Sequence, residues 1–590
     1  MSRFEINETF VLDKKPFKIL SGAVHYFRIP RKDWQHSLYN LKALGFNTVE
    51  TYVPWNFHET QKGNFEFEGN KDLKYFIELA QQEGLYVIVR PSPYICAEWE
   101  FGGLPAWLLN DRTMRIRSRD PQFLAHVHRY YQVLFKILTP LQIDQNGPII
   151  MFQIENEYGS YGEDHEYLRA IANMMREEGV TVPFFTSDGA WDQCLRAGSM
   201  IDDNILPTGN FGSRTMQNFQ NLKTFHEEHG KTWPLMCMEF WDGWFNRWGE
   251  AVIKRDSDDL AKEVKEAIKL GSVNLYMFHG GTNFEFWNGC SARGTKDLPQ
   301  VTSYDYHAPL DEAGNPTPKY FTLQKMLKDV LPDVKQHEPK VKTFMAKKDI
   351  PLTNKVNLFE VLEEISTKTT SFYPQSMEEA GSGYGYMMYR TILTRATEQE
   401  KLRIVDARDR VHCFIDQKCV YQAYQEEIGE AFEVNLTSSQ PQVDILVENM
   451  GRVNYGYKLL APTQRKGIGQ GLMQDLHFVQ NWEQFDIDFY KLKNEHFQRP
   501  WSAHQPAFYR YEFELETPDN THIDVSGFGK GVVLVNGFNI GRYWEVGPSQ
   551  SLYISKAFLK QGKNEIIVFD SEGKYSESID LIQNPQFSNI

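Results

Sequence analysis

Two glutamates in the first half of the chain end apolar, β-rich runs, and both are placed to do chemistry. Glu157 follows the run 149–154, and Glu239 is the last residue of the run 234–239. Two carboxyl groups about 5–5.5 Å apart can cleave a glycosidic bond with retention of configuration, one as nucleophile and one as acid and base. The two glutamates therefore predict chemistry on a sugar acetal.

Other carboxylates compete for these two roles. Glu155 alternates onto the same face as Glu157, and Glu98, Glu100 and Asp242 are further acidic neighbours. A single glutamate at a strand end is usually solvated or salt-bridged, whereas a pair flanked by aromatic residues is rarer by chance. Spacing alone leaves open which glutamate plays which role.

Eight apolar runs alternate with one-sided helices and would position these glutamates. The runs are 18–25, 47–53, 86–90, 149–154, 182–186, 204–207, 234–239 and 273–278. Strands buried on both faces read as continuous apolar runs, so this α/β pattern predicts a (β/α)8 TIM barrel. Catalytic groups of such barrels lie at the C-terminal strand ends, and strands four and seven end on opposite sides of the mouth.

The run 204–207 is the weakest of the eight. The structural rival is an open, doubly wound sheet, which is disfavoured because no glycine-rich phosphate loop follows the first run. Six glycines are expected to end helices in the left-handed conformation: Gly45, Gly84, Gly147, Gly179, Gly230 and Gly271. Ser257 is the expected N-cap of the helix before the eighth run.

Residues 1–334 are thus predicted to form the catalytic barrel, and two β domains are expected behind it. Tyr389-Arg390 resembles Tyr509-Arg510, an offset of 120 residues (509 minus 389), and two further pairs of segments repeat at about this offset. The repeat predicts two β-sandwich or jelly-roll domains, at 383–495 and 496–590. Residues 335–382 are expected to be a linker or the start of the first β domain.

Composition excludes several classes of partner. The 590 residues include 78 acidic and 63 basic side chains, giving a net charge of −15, so neither nucleic acid nor an anionic membrane surface is an expected partner. No apolar stretch is long enough to span a membrane. The aromatic content of 14% favours a neutral sugar as the partner.

The N-terminus and the cysteines indicate the compartment. Met1-Ser-Arg-Phe-Glu-Ile-Asn has no apolar signal region, and the six cysteines are too sparse for a disulfide framework, so we expect a cytoplasmic protein.

His226 and His229 lie three apart rather than at the i, i+4 spacing of a zinc helix. We therefore expect no metal and no cofactor.

Six segments of the barrel region carry a family resemblance. They are Thr51-Tyr-Val-Pro-Trp-Asn-Phe-His-Glu59, Arg90-Pro-Ser-Pro-Tyr-Ile-Cys-Ala-Glu-Trp-Glu100, Gly102-Gly-Leu-Pro-Ala-Trp-Leu108, Gln153-Ile-Glu-Asn-Glu-Tyr-Gly159, Tyr276-Met-Phe-His-Gly-Gly-Thr-Asn-Phe284 and Ser303-Tyr-Asp-Tyr-His-Ala-Pro309. They resemble glycoside hydrolase family 35 β-galactosidases. The resemblance continues through the β domains in Glu448-Asn-Met-Gly-Arg-Val-Asn-Tyr-Gly456, Lys466-Gly-Ile-Gly469 and Gly537-Phe-Asn-Ile-Gly-Arg-Tyr-Trp544.

The resemblance implies a retaining enzyme that removes terminal β-linked galactose from the non-reducing end of galactoside oligosaccharides. Glu157 would be the acid/base, Glu239 the nucleophile, and Asn156 would hydrogen-bond the 2-hydroxyl. The implied galactose site is lined by Tyr52, Cys96, Ala97, Glu98, Tyr276 and Tyr306. The expected type is bacterial and cytoplasmic, with a preference for β1,3 linkages and a possible homodimeric state.

Position 241 departs from many animal lysosomal relatives, which carry Tyr there. Trp241 and Trp244 resemble a platform for the sugar on the leaving side, with Tyr455 of the first β domain beside them; the alternative is packing at the barrel rim. The alternative functions are an exo-β-glucosaminidase of the same family, an inactive sugar-binding relative and a metal-dependent barrel enzyme. Retention of both carboxylates disfavours the inactive relative.

Overall fold

A closed barrel of eight parallel strands forms the N-terminal part of the protein. The computed structural model describes residues 2–91, 93–394 and 397–588. The strands follow one another around the barrel in chain order. They are Leu20–Val24, Thr48–Tyr52, Tyr86–Arg90, Ile149–Gln153, Phe184–Gly189, Leu206–Phe211, Met236–Trp241 and Ser272–His279. The predicted (β/α)8 barrel is confirmed, and the weak sixth run is a strand that continues four residues beyond its predicted end (211 minus 207).

An α-helix of seven or more residues follows each barrel strand. These helices are Trp34–Leu44, Leu73–Gln82, Pro121–Leu138, His165–Glu177, Asp192–Gly198, Thr215–Glu228, Ser257–Leu270 and Pro318–Val330. Ser257 is the first residue of its helix, and the expected cap was wrong by one position. Asp256 is the N-cap, because its carboxylate accepts hydrogen bonds from the backbone N–H groups of Asp258 and Asp259, both at 2.9 Å.

Four of the six glycines expected in the left-handed conformation have positive φ. The prediction was wrong for Gly147 and Gly271, since Gly271 has an extended φ of −168°. A Cβ on Gly271 would lie 2.3 Å from the carbonyl oxygen of Leu235, and one on Gly147 would lie 1.9 Å from that of Leu141. Glycine is therefore required at these two positions because another backbone segment lies too close for a Cβ, and not because φ is positive.

Two all-β regions follow the barrel, and together with it they account for the predicted fold class. The first contains a six-stranded sheet, in the order Ser366–Ser371, Trp482–Ile487, Tyr386–Ile392, Gln442–Glu448, Arg410–Ile415 and Lys418–Tyr424. Its second sheet has the order Phe432–Asn435, Gln399–Arg408, Gly467–Gln474 and His477–Phe478. The second region has eight strands, in the order Phe538–Trp544, Lys530–Val535, Gly562–Asp570, Ala507–Leu515, Lys347–Asn357, Ser578–Ile582, Thr521–Asp524 and Ser551–Ile554.

Residues 335–382, expected to be a linker or the start of the first β domain, supply a strand to each β region. Lys347–Asn357 pairs antiparallel with Ala507–Leu515 and Ser578–Ile582, so it belongs to the second region. Ser366–Ser371 pairs with Trp482–Ile487 and begins the first region. The sequence did not reveal the first of these strands, because its composition is polar and its pairing partners lie at least 150 residues further along the chain (507 minus 357).

Smaller elements complete the structure. A three-stranded sheet of Phe4–Ile6, Phe10–Leu12 and Lys15–Pro16 precedes the barrel, and Cys290–Arg293 and Lys296–Pro299 form a hairpin after its last strand. Three short helices span Trp55–His58, Leu358–Val361 and Met377–Ala380. Among the described residues, no helix combines the length and apolar composition needed to cross a membrane.

A buried arginine joins the barrel to the first β region. Arg452 is inaccessible to solvent and forms ion pairs with Glu100 of the barrel, at 2.6 Å, and with Glu378. Its Nε also donates to the carbonyl oxygen of Gln464 at 2.8 Å. Burying two carboxylates is costly unless a cation accompanies them, so Arg452 is required to hold this junction.

We expect Arg452→Ala to destabilise the protein by about 3–5 kcal/mol, because both carboxylates stay buried without their partner. Thermal unfolding should show a midpoint several degrees lower than that of the wild type. Arg3→Ala is the control, since Arg3 pairs with Glu5 on the surface and its side chain is 78% exposed. Equal midpoints for the two variants would contradict the structural role of Arg452.

Candidate active site

A cavity of about 340 Å³ lies at the C-terminal ends of the barrel strands. It brings together ten of the twelve site residues predicted from the sequence, namely Cys96, Ala97, Glu98, Glu157, Glu239, Trp241, Trp244, Tyr276, Tyr306 and Tyr455. Asn454 and Tyr455 come from the first β region, and Ser291 and Ala292 come from the hairpin after the eighth strand. The β region therefore completes one wall of a cavity whose other walls belong to the barrel.

Glu239 is held by three donors near the end of the seventh strand. Its Oε1 lies 2.7 Å from Nη2 of Arg90 and accepts a 2.5 Å hydrogen bond from the Tyr52 hydroxyl. Its Oε2 accepts a hydrogen bond from the indole Nε1 of Trp241 at 3.1 Å. These contacts fix the orientation of the carboxylate and place a cation beside it, as a nucleophile aimed at one carbon atom requires.

Glu157 has different surroundings. It is half-buried, has a φ of 46°, and its Oε1 accepts one hydrogen bond, from Nδ2 of Asn210 at 3.1 Å. Burial and, to a smaller extent, the nearby charge of Glu239 raise the pKa of Glu157 to about 8, although the Asn210 hydrogen bond opposes the rise. Glu157 is therefore protonated at neutral pH, as a general acid must be.

Tyr52 and Asn156 lie directly beneath the cavity rather than in its wall. Both are buried, and Oδ1 of Asn156 lies 2.9 Å from the hydroxyl oxygen of Tyr52 and accepts a hydrogen bond from Nη2 of Arg90 at 3.0 Å. Nδ2 of Asn156 donates to the carbonyl oxygen of Ile95 at 3.2 Å. In this structure the two residues form a layer that supports Glu239.

Glu98 forms another wall together with tyrosines. Its carboxylate accepts a hydrogen bond from the Tyr304 hydroxyl, which lies 3.1 Å from the hydroxyl of Tyr276. Burial raises the pKa of Glu98 to about 7.

Cys96 and Ala97 precede Glu98 in a turn where all three residues have positive φ. Burial also raises the pKa of the Cys96 thiol, which leaves it unsuited to act as a thiolate nucleophile.

Three of the four competing carboxylates lie outside the cavity, whereas Glu98 lines it. Glu155 is buried and accepts two hydrogen bonds from Arg117, at 2.9 and 2.8 Å. Glu100 pairs with Arg452, and Asp242 is buried, which raises the pKa of its carboxyl group. None of these three lines the cavity, so geometry separates them from Glu157 and Glu239.

Sequence reasoning missed five polar residues at or around this site: Arg90, Asn210, Arg247, Tyr304 and Asn454. Arg90 is the last residue of the third strand, so the strand-end criterion that selected Glu157 could have found it. Asn210 was missed because the sixth strand was placed too short. Asn454 lies 175 residues beyond the end of the eighth strand (454 minus 279), and it was missed although its neighbour Tyr455 was predicted.

A closed (β/α)8 barrel with one protonated and one cation-paired carboxylate in a sugar-sized cavity defines the class of glycoside hydrolases that use two carboxylic acids. Residues 9–330 match the family described as "Glycosyl hydrolases family 35". Residues 374–488 match "Beta-galactosidase, first all-beta domain", and residues 506–564 match "Beta-galactosidase, galactose-binding domain". The chain belongs to glycosyl hydrolase family 35 and is a glycoside hydrolase.

Full-length relatives support this assignment. The chain is similar to a "Beta-galactosidase" of Xanthomonas manihotis, at 39% identity over 92% of this chain and 90% of the relative. It is also similar to "Beta-galactosidase-1-like protein 2" of Homo sapiens (37%, covering 95% and 88%) and to a "Beta-galactosidase" of Mus musculus (35%, covering 96% and 90%). Because bacterial and animal proteins match alike, the expected bacterial type stays a prediction.

The protonation state of Glu157 predicts the alkaline limb of the pH profile. Since its pKa is raised to about 8, the acid form is present below that pH and is lost above it. We expect kcat/KM to fall about tenfold per pH unit above this value. The charge of Asp188 contributes to the raised pKa of Glu157, so Asp188→Asn should move the limb to lower pH.

Asp192→Asn is the control for this change, because Asp192 is on the surface with a side chain that is 61% exposed. Its profile should superimpose on that of the wild type. A limb that moves to higher pH in Asp188→Asn, or does not move, would contradict the electrostatic origin of the raised pKa.

Proposed function

We propose that the protein is a retaining exo-β-galactosidase that cleaves terminal, non-reducing β-D-galactose from oligosaccharides. The observation that carries this proposal is the contrast between the two glutamates in one cavity. Glu239 is paired with Arg90 at 2.7 Å, whereas burial and the charge of Glu239 keep Glu157 protonated. One carboxyl group is thus prepared to attack and the other to donate a proton.

In the first step Glu239 attacks the anomeric carbon while Glu157 protonates the departing glycosidic oxygen. The bond to the leaving group breaks as the bond to Glu239 forms, so an ester of galactose and Glu239 is produced and the leaving alcohol is neutral. The Tyr52 hydroxyl, 2.5 Å from Glu239, and Arg90 hold the attacking carboxylate in place. Orientation of the reacting groups in this way supplies part of the rate acceleration.

In the second step Glu157 acts as a base. Formation of the ester removes the negative charge of Glu239, which is one of the causes of the raised pKa of Glu157. The pKa of Glu157 then falls, so the carboxylate left by the first step can take a proton from water. Water attacks the anomeric carbon, Glu239 is released, and two inversions give net retention.

The cavity supports action at a chain end. At about 340 Å³ it is suited to one or two sugar rings, and residues of the barrel, hairpin and first β region enclose it. Glu98, Tyr276 and Tyr306 offer acceptors and hydroxyls to the hydroxyl groups of a sugar. A wrong epimer would leave these buried groups unpaired, which disfavours its binding. The names of the relatives and of the matched β domains support galactose as this sugar.

Three finer predictions belong to this proposal. A preference for β1,3 linkages rests on the family resemblance and is tested by a panel of β1,3-, β1,4- and β1,6-galactosyl disaccharides. A cytoplasmic location is supported by the six cysteines, all of which are free thiols. A homodimer would be recognised from the mass of the protein in solution.

Azide rescue tests the two catalytic roles. We expect Glu239→Gly and Glu157→Gly each to lower kcat by about a thousandfold or more on a natural disaccharide. In Glu239→Gly, with a dinitrophenyl galactoside as the substrate, azide should occupy the space left by Glu239 and give an α-galactosyl azide. In Glu157→Gly azide should instead attack the galactosyl ester and give a β-galactosyl azide.

Glu68→Gln is the control for these variants, since Glu68 is exposed and lies outside the cavity. The same anomer from both glutamate variants would contradict the assignment of roles. Wild-type protein without activity on any β-galactoside would contradict the proposed function itself.

Trp241 can contribute in two ways, and paired substitutions separate them. Trp241→Phe removes the Nε1 hydrogen bond to Glu239 but keeps a ring, so it should slow a disaccharide and a nitrophenyl galactoside equally. Trp241→Ala should slow the disaccharide further, by about tenfold, because the platform is also lost. Steady-state kinetics on both substrates measure this difference, and equal losses in Trp241→Ala would exclude a role on the leaving side.

A further inference from the structure

Arg247 lies in the cavity wall with most of its hydrogen-bonding capacity unused. It follows the seventh barrel strand, and its side chain is 16% exposed. Nη1 donates to Glu250 at 3.2 Å, which is the only side-chain hydrogen bond that this arginine makes among the described residues. Nε is buried without a partner. A guanidinium carries five N–H groups, so several donors at this wall have no acceptor in the protein.

Arg28, a buried arginine near the same cavity, differs in this respect. Its Nε donates to Asn283 at 2.8 Å, Nη1 lies 2.7 Å from the ring of His25, and Nη2 donates to the carbonyl oxygen of Ala97. Each of the three guanidinium nitrogens of Arg28 thus has a partner in the protein. Leaving a buried N–H unpaired is costly, so the unused donors of Arg247 indicate a position that a ligand completes.

The charge of Arg247 is partly compensated by Glu250. Glu250 pairs with Arg247 through one oxygen and with Arg293, at 2.9 Å, through the other. A ligand carboxylate would therefore meet Glu250 as well as the arginine. A neutral acceptor, such as a hydroxyl or an amide carbonyl, fits the remaining N–H groups without this repulsion.

The neighbours of Arg247 place it beside the leaving-side platform. Its guanidinium lies 4.9 Å from the ring centre of Phe245, which stacks on Trp244 at 5.0 Å. Ser291 of the hairpin lines the same cavity, and its Oγ accepts a hydrogen bond from Gln300 at 2.9 Å, so its own O–H is left to donate. Two donors thus accompany the aromatic rings in this wall.

We propose that Arg247 is a specificity-determining residue that selects a sugar leaving group by donating hydrogen bonds to a neutral acceptor oxygen on it. This inference rests on the proposed galactosidase function and deepens it. The tryptophans would contact any flat apolar group, whereas Arg247 distinguishes a sugar from an apolar alcohol of the same size. The enzyme is thereby directed to oligosaccharides rather than to alkyl galactosides.

Two substrates of matched reactivity test this inference. Cyclohexyl β-D-galactoside has a six-membered aliphatic leaving group without hydroxyls, and the best galactosyl disaccharide of the linkage panel supplies the sugar. We expect the wild type to prefer the disaccharide in kcat/KM. Arg247→Met keeps the length and apolar packing of the side chain but removes the donors, and should reduce that preference by about tenfold.

Arg293→Ala is the matched control, since it removes the exposed partner of Glu250 and leaves the cavity wall intact. Its preference should equal that of the wild type. An equal loss of kcat/KM on both substrates in Arg247→Met would overturn the inference, because it would mean that Arg247 supports the galactose site or the fold. An unchanged preference would overturn it as well.

The same measurements distinguish failure of the galactosidase function from failure of the role of Arg247. If the wild type hydrolyses neither substrate nor any other β-galactoside, the proposed function is wrong. If the wild type hydrolyses both and Arg247→Met has the wild-type preference, only the role of Arg247 is wrong.

Discussion

The ion pair between Arg90 and Glu239 is the interaction on which the rest of the site depends. Both side chains are almost inaccessible to solvent, and Arg90 also lies 3.8 Å from the buried Glu50. A carboxylate removed from water without a cation would take up a proton and lose its nucleophilicity. Arg90 places a positive charge 2.7 Å from Glu239, and the charge of Glu239 is in turn one of the causes of the raised pKa of Glu157.

This arrangement requires a barrel, because the interacting groups come from strands that are distant in the chain. Tyr52, Arg90, Glu157 and Glu239 lie on or after strands two, three, four and seven. Closure of the barrel brings these strand ends around one mouth. The hydrogen bonds among Tyr52, Asn156 and Arg90 then form a layer that orients Glu239 from below.

The β regions participate in function as well as in stability. Arg452 joins the first β region to the barrel through a buried ion pair with Glu100, and two residues further on Asn454 lines the cavity. The junction therefore positions Asn454 and Tyr455 against the barrel residues. The cavity wall also combines two kinds of side chain. Its aromatic rings provide apolar contact area, and Arg247 provides N–H groups without a protein acceptor.

The sequence by itself determined the barrel and the two β regions and made Glu157 and Glu239 the candidate pair, because apolar periodicity and strand-end position are local properties. Spacing left open which glutamate is the acid, the family resemblance implied Glu157, and Arg90, Asn210 and the strand Lys347–Asn357 were missed. Only the tertiary structure showed the raised pKa of Glu157 and the pairing of Lys347–Asn357, since a pKa depends on burial and neighbouring charges, and a β-strand depends on partners far along the chain. Glu155 shows the difference: its spacing matched that of Glu157, but folding paired it with Arg117.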